Sequence, residues 1–170
     1  EGYFQLNDPV STFIPEFKNL KGFSKMDKNE PVLVEPKRPV TIRDLLTHTS
    51  GLTYGFFGNT PVNRMYREAG LYSGTLKEMI QKLSKLPLLY QPGTKWHYSM
   101  STDVLGYLVE VISGKPLDKF LEERIFKPLK MKDTGFYVPV EKIKRFAARY
   151  GLTKEGGMEV IEKPRTSNMS

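Results

Sequence analysis

Cysteine is absent from the 170 residues, which excludes a disulfide framework, a thiolate zinc site and a cysteine nucleophile. The absence does not separate cytoplasm from periplasm. Histidine occurs only twice, too few for a His-rich metal centre, so no metal and no cofactor is expected. No apolar run approaches the roughly 18 residues that a membrane helix needs. The opening residues EGYFQLNDPV hold neither a basic block nor an apolar one, so neither a transmembrane segment nor a signal is expected. Acidic charge is the scarcer sign, 19 Asp and Glu against 26 Lys and Arg. The resulting charge of +7 is scattered along the chain and accompanies no helix-turn-helix, RNP or zinc-finger pattern, so no nucleic-acid partner is expected. Self-contained catalytic motifs are missing too: there is no G-x-S-x-G elbow, P-loop, G-x-G-x-x-G or H-E-x-x-H.

What remains is an ordinary globular composition, 39% hydrophobic with 26% charged residues, long enough to bury about 70% of the unfolded surface. Residues 1–170 read as one unit without repeats, built from short helices between Pro- and Gly-marked loops. A first helix is expected from Asp8 as N-cap and Pro9 at N1, with Val10, Phe13 and Ile14 inward and an end near Pro15. Residues 18–39, polar and Pro-rich, read as a loop. Thr41 and Asp44 form a capping box opening a second helix, with Leu45 and Leu46 as core candidates and Gly51 as its end. Thr75 and Glu78 open a third, whose Leu76, Met79, Ile80 and Leu83 recur at i, i+3, i+4, i+7 until Pro87. A fourth begins at Ser101 to Asp103, runs on Val104, Leu105, Leu108, Val111 and Ile112, and ends at Gly114. A fifth follows from Pro116, with Leu117, Phe120, Leu121 and Ile125 as a buried stripe before Pro128. The end of the chain is extended: residues 146–152 and 158–161 flank Lys154-Glu-Gly-Gly as a hairpin. The expected fold class is therefore mainly α with a short C-terminal hairpin.

Two segments stand out, TIRDLLTHTSGL at 41–52 and QPGTKWHYSMSTDVLG at 91–106, the latter followed by FKPLKMKDTGF at 126–136. They resemble the serine β-lactamase-like hydrolases: class C β-lactamases, family VIII esterases and D-alanyl-D-alanine peptidases. HTSGLTYGF at 48–56 and the W-x-Y-S pattern at Trp96 to Ser99 are most similar to the esterases. The resemblance runs from LNDPVSTFIPEF near the start to RFAARY at 145–150. It implies the helical lobe of a larger α/β hydrolase, with the sheet lobe of the same protein as its missing partner and a small ester or amide as substrate. It also implies that Tyr98 occupies the place of the motif tyrosine that helps move a proton between nucleophilic Ser and leaving group. Tyr54 and Phe56 then line the same cleft. Met100 stands where lactamases carry an Asn able to bond a substrate amide, which favours an ester. Lys130 replaces the usual Gly of a P-L-G-M turn, so a local change of that turn is expected.

The family's S-x-x-K is not found, since no Ser here is followed by Lys three residues on, and neither K-T-G nor H-x-G occurs downstream. Ser50 and Ser113 read as helix-end residues and Ser99 as a motif interior position, none of them a replacement nucleophile. His48 and His97 lack a carboxylate at ligand spacing and read as packed or exposed side chains. The chain alone is therefore expected to be inactive and, with its sheet-facing side bare, to self-associate. Alternatives left open are a β-lactamase or D-Ala-D-Ala peptidase fragment and a truncated, non-catalytic binding module.

Overall fold

The computed structural model describes residues 2–28 and 30–164. The chain divides into two compact units, Glu1–Leu117 and Asp118–Ser170.

The first unit holds every buried apolar side chain among the described residues, Val10 through Leu108. Its start is not one helix but two 3-10 turns, Val10–Thr12 and Pro15–Asn19. Asp8 does not cap them, because its carboxylate accepts from the Gln5 N–H at 2.7 Å. Pro9 instead bridges to Thr41, and Val10, Ile14 and Phe17 still turn inward.

The expected loop at 18–39 contains an antiparallel hairpin of β1 (Gly22–Asp27) and β2 (Glu30–Val34). This ribbon, with a second one near the C-terminus, overturns the mainly α assignment: the chain is 36% helical and 14% strand. Proline misleads here because each strand of a two-stranded ribbon has a free edge, and Pro31 needs no ladder donor there. Phe23 N–H bonds the Leu88 carbonyl at 2.9 Å and Leu88 N–H bonds that of Lys21 at 2.8 Å, which anchors the ribbon.

Both capping boxes form. Thr41 and Asp44 open α1 (Ile42–Leu46), and Thr75 and Glu78 open α3 (Leu76–Leu83). Leu45 is buried, but Leu46, expected in the core, is 52% exposed. Between them lies α2 (Pro61–Glu68), which the sequence reading passes over. Its signals are Thr60 as N-cap, Pro61 at N1, and Val62 and Tyr66 on one buried face. The long α4 (Ser101–Ser113) packs on α1 and α3. Gly106 makes room for the Leu117 side chain, whose Cδ2 a Cβ there would meet at 2.9 Å. Gly114 ends the helix in the left-handed conformation, φ 67°.

The helix α5 (Leu117–Leu121) runs into the second unit and widens into a π turn over Glu122–Phe126. The stripe Leu117, Phe120, Leu121 and Ile125 is present, yet none of the four is fully buried. Beyond it come a 3-10 helix at Val140–Arg145 and the hairpin of β3 (Arg149–Leu152) and β4 (Met158–Glu162), the latter as expected. Lys130 keeps the left-handed turn that Gly would favour, φ 56°, so the substitution leaves the turn in place. No helix among the described residues is long and apolar enough to cross a membrane.

Candidate active site

The two segments singled out by sequence lie side by side. At the end of α1 the chain reverses through His48, a non-glycine residue with φ 53°. The segment that follows is then pinned to residues 90–101. His97 N–H donates to the His48 carbonyl at 2.8 Å, Gly93 N–H to that of Thr49 at 2.8 Å, and Leu89 N–H to that of Gly51 at 2.7 Å. Gly51 is required at this seam: its φ is 87°, and a Cβ there would fall 2.1 Å from the Tyr90 carbonyl oxygen.

Three buried hydroxyls complete the join. Ser50 Oγ and Ser101 Oγ are 2.8 Å apart, as are Ser99 Oγ and Ser101 Oγ. Ser50 also accepts from Leu52 N–H at 3.2 Å. Buried and mutually bonded, these serines fasten the loop to the first turn of α4, a structural use of polar groups that burial would otherwise penalise.

Tyr98 sits between two fixed neighbours, His97 and Ser99, and its side chain is 44% exposed. An aromatic cluster surrounds it. Tyr54 lies 5.1 Å from its ring, His48 4.9 Å and Phe57 6.1 Å. Phe56 stacks on Tyr54 at 5.2 Å with 15° between the planes, and Trp96 meets His48 edge-on at 6.3 Å. The structure therefore brings Tyr98, Tyr54 and Phe56 together. Met100 is placed differently: it is 1% exposed and lines a shallow groove of about 260 Å3 with Leu71, Tyr72, Met79 and Asp103.

Asp103 connects the two places. Its Oδ2 accepts from the Tyr54 hydroxyl at 3.0 Å, and Tyr72 donates its hydroxyl to the Tyr54 carbonyl at 3.0 Å. Burial and the adjacent Asp103 carboxylate push the Tyr54 phenol well above its ordinary range, so it stays a neutral donor. Burial and the same carboxylate raise Tyr72. Beneath the cluster Thr53 donates to Asn63 Oδ1 at 2.9 Å and contacts His97 Nε2 at 3.1 Å. Since the Thr53 proton goes to Asn63, His97 must be the donor in that contact, which fixes its Nε2–H tautomer. Burial, helped by the Lys95 charge, lowers the His97 pKa and keeps the ring neutral. Arg67 stitches the loop tip to α2 through the carbonyls of Gly55 and Gly58, the latter at 3.1 Å.

Sequence reasoning missed His48, Asp103, Phe57 and Tyr72 as members of the site. Position inside the singled-out segments is the one signal that pointed to His48 and Asp103. Among the described residues no group of three or more His, Asp or Glu is arranged to hold a metal ion.

A half-exposed phenol in an aromatic wall, flanked by hydrogen-bonded residues, suits proton transfer to or from a group lying over it. The family model described as Beta-lactamase matches residues 1–167. The chain belongs to the Beta-lactamase family. It is 37% identical over 171 residues to an N-acetylmuramyl-L-alanine amidase of Bacillus subtilis, covering 96% of this chain and 35% of that protein. It is 36% identical over 156 residues to the esterase EstB of Burkholderia gladioli, covering 88% and 36%. The unliganded structure of simvastatin synthase (LovD) from Aspergillus terreus superposes with a TM-score of 0.77 at 30% identity, covering 94% of this chain and 41% of that one. The chain thus spans well under half the length of the family members it matches, and its fold is part of the serine β-lactamase and penicillin-binding-protein architecture.

Proposed function

We propose that this Beta-lactamase family chain is the tyrosine-bearing part of a serine hydrolase that cleaves a small ester, or transfers its acyl group, through an acyl-enzyme. The nucleophilic Ser and its Lys lie outside these 170 residues, in the remainder of the protein. The observation that carries the reading is the presentation of Tyr98: a half-exposed phenol inside an aromatic cluster, with His97 bonded to the His48 carbonyl and Ser99 joined through Ser101 to Ser50. In the acylation step the Ser oxygen attacks the ester carbonyl and its proton passes by way of Tyr98 to the departing alkoxide. One C–O bond forms, one breaks, and the alcohol leaves neutral. Water reverses the sequence.

The aromatic wall around Tyr98 favours an ester, whereas Met100 is buried away from it and does not bear on the choice. The names of EstB and of the simvastatin synthase point the same way. The likeness to the amidase favours a second reading, cleavage of an amide by the same machinery. A fluorophosphonate tests the proposal: it should label the full-length protein on a Ser beyond these residues and leave the 170-residue chain unlabelled. Turnover should be faster with alkyl and aryl esters than with a chromogenic cephalosporin. A stoichiometric adduct on any Ser of this chain, or preferential cleavage of the cephalosporin, would contradict it.

A further inference from the structure

We propose that His48 is a positioning residue for Tyr98, an inference that rests on the proton-relay reading above. Two rings approach the Tyr98 ring most closely: the His48 imidazole at 4.9 Å, inclined by 53°, and the Tyr54 ring at 5.1 Å, inclined by 49°. Tyr54 is fixed through its side chain, by the Asp103 carboxylate and by the stacked Phe56. His48 is fixed through its backbone, which is left-handed, donates to the Leu45 carbonyl at 3.3 Å and accepts from His97 at 2.8 Å.

Two features of His48 carry a cost. A side chain that merely filled space would sit more easily in an ordinary backbone region. A hydrocarbon ring would avoid a buried polar atom, whereas His48 Nδ1 is buried and has no hydrogen-bond partner among the described residues. Both liabilities belong to the residue whose ring meets Tyr98. A relaying phenol must reach the nucleophile oxygen and the leaving oxygen in turn, so its ring cannot swing, and a displacement near 1 Å is enough to cost about a hundredfold in rate.

The test uses the full-length enzyme. His48→Gly and His48→Asn both tolerate the left-handed backbone and remove the imidazole. The substrates are an ethyl ester, whose alkoxide must be protonated to leave, and a p-nitrophenyl ester, whose leaving group departs as an anion; both need the relay to take the Ser proton. The expected result is a fall in kcat/KM of about tenfold or more on the ethyl ester and a smaller fall on the p-nitrophenyl ester, which is spared the leaving-group protonation alone. A folded Gly variant with unchanged ethyl-ester kcat/KM would overturn the proposal, as would a loss on the p-nitrophenyl ester larger than that on the ethyl ester. Fluorotyrosine placed at position 98 gives a readout independent of activity: one sharp 19F resonance in the parent, shifted or split in His48→Gly. An unchanged resonance overturns the positioning role. Failure of the wild-type enzyme on both esters counts against the proposed function instead, with the 19F result still deciding the role of His48.

Discussion

Asp44 gathers more of the local architecture than any other polar side chain in the first unit. Its carboxylate accepts from Arg38 Nη1 and Nη2 at 2.6 and 2.9 Å, from Thr41 N–H and hydroxyl at 2.9 and 2.8 Å, and from the Thr49 hydroxyl at 3.2 Å. Burial would push such a carboxyl up, but the hydrogen bonds from Arg38 and Thr41 and the Arg38 charge outweigh it and hold the pKa below the usual carboxylate range. Because the folded pKa is the depressed one, the stabilisation is complete above the unfolded value near 4 and is lost as pH falls through the folded value. Asp44→Ala should cost about 2–3 kcal/mol at pH 7, less than a fully enclosed pair because Arg38 is partly solvated. Urea unfolding at pH 7 and at pH 3 should show the difference between wild type and variant shrinking at the acid end. The capping role of Asp44 was legible from its spacing to Thr41. The roles of His48 and Asp103 were not, because ring packing and the Tyr54 hydrogen bond join positions about fifty apart, and no local pattern encodes that pairing.

At the scale of elements, punctuation was readable and irregularity was not. Thr75 with Glu78 and Gly114 each do what their chemistry suggests, and the Gly-containing turn at 154–157 does join β3 to β4. The first helix failed because Asp8 closes an earlier turn and Pro15 leaves too few residues for an α-helical nucleus, so 3-10 turns form. The hairpin of β1 and β2 failed because its bulge between Phe23 and Lys25 breaks the alternation that marks a strand. Lys130 is the informative departure. Met131 N–H bonds the Phe126 carbonyl at 2.8 Å and Lys130 N–H that of Lys127 at 3.0 Å, the paired closure of a Schellman motif with Lys130 at its left-handed position. Lys130→Gly should therefore stabilise the protein by about 1 kcal/mol. A melting temperature raised by about 2–4 °C would be the corresponding shift, and a fall would show that the lysine stem contributes packing that outweighs the backbone cost.

Across the whole molecule, burial is confined to the first unit: no described residue beyond 117 is fully buried. Regions with few buried contacts open first, so limited proteolysis of the 170-residue chain should cut between residues 118 and 164 and leave the first unit, with Tyr98 and its aromatic cluster, intact. Initial cleavage in the loop around Tyr54 would contradict that order. The family members that this chain matches are more than twice as long as it is, and in a full-length protein the central claim, that Tyr98 carries the proton of the acyl transfer, can be measured directly. Tyr98→Phe removes one hydroxyl from a half-exposed ring and leaves the His48 and Tyr54 contacts in place. In the full-length enzyme acting on an alkyl ester, kcat should fall by about a hundredfold or more, with KM and melting temperature close to wild type. A kcat within about threefold of wild type at unchanged melting temperature would show that Tyr98 is packing alone and would contradict the account.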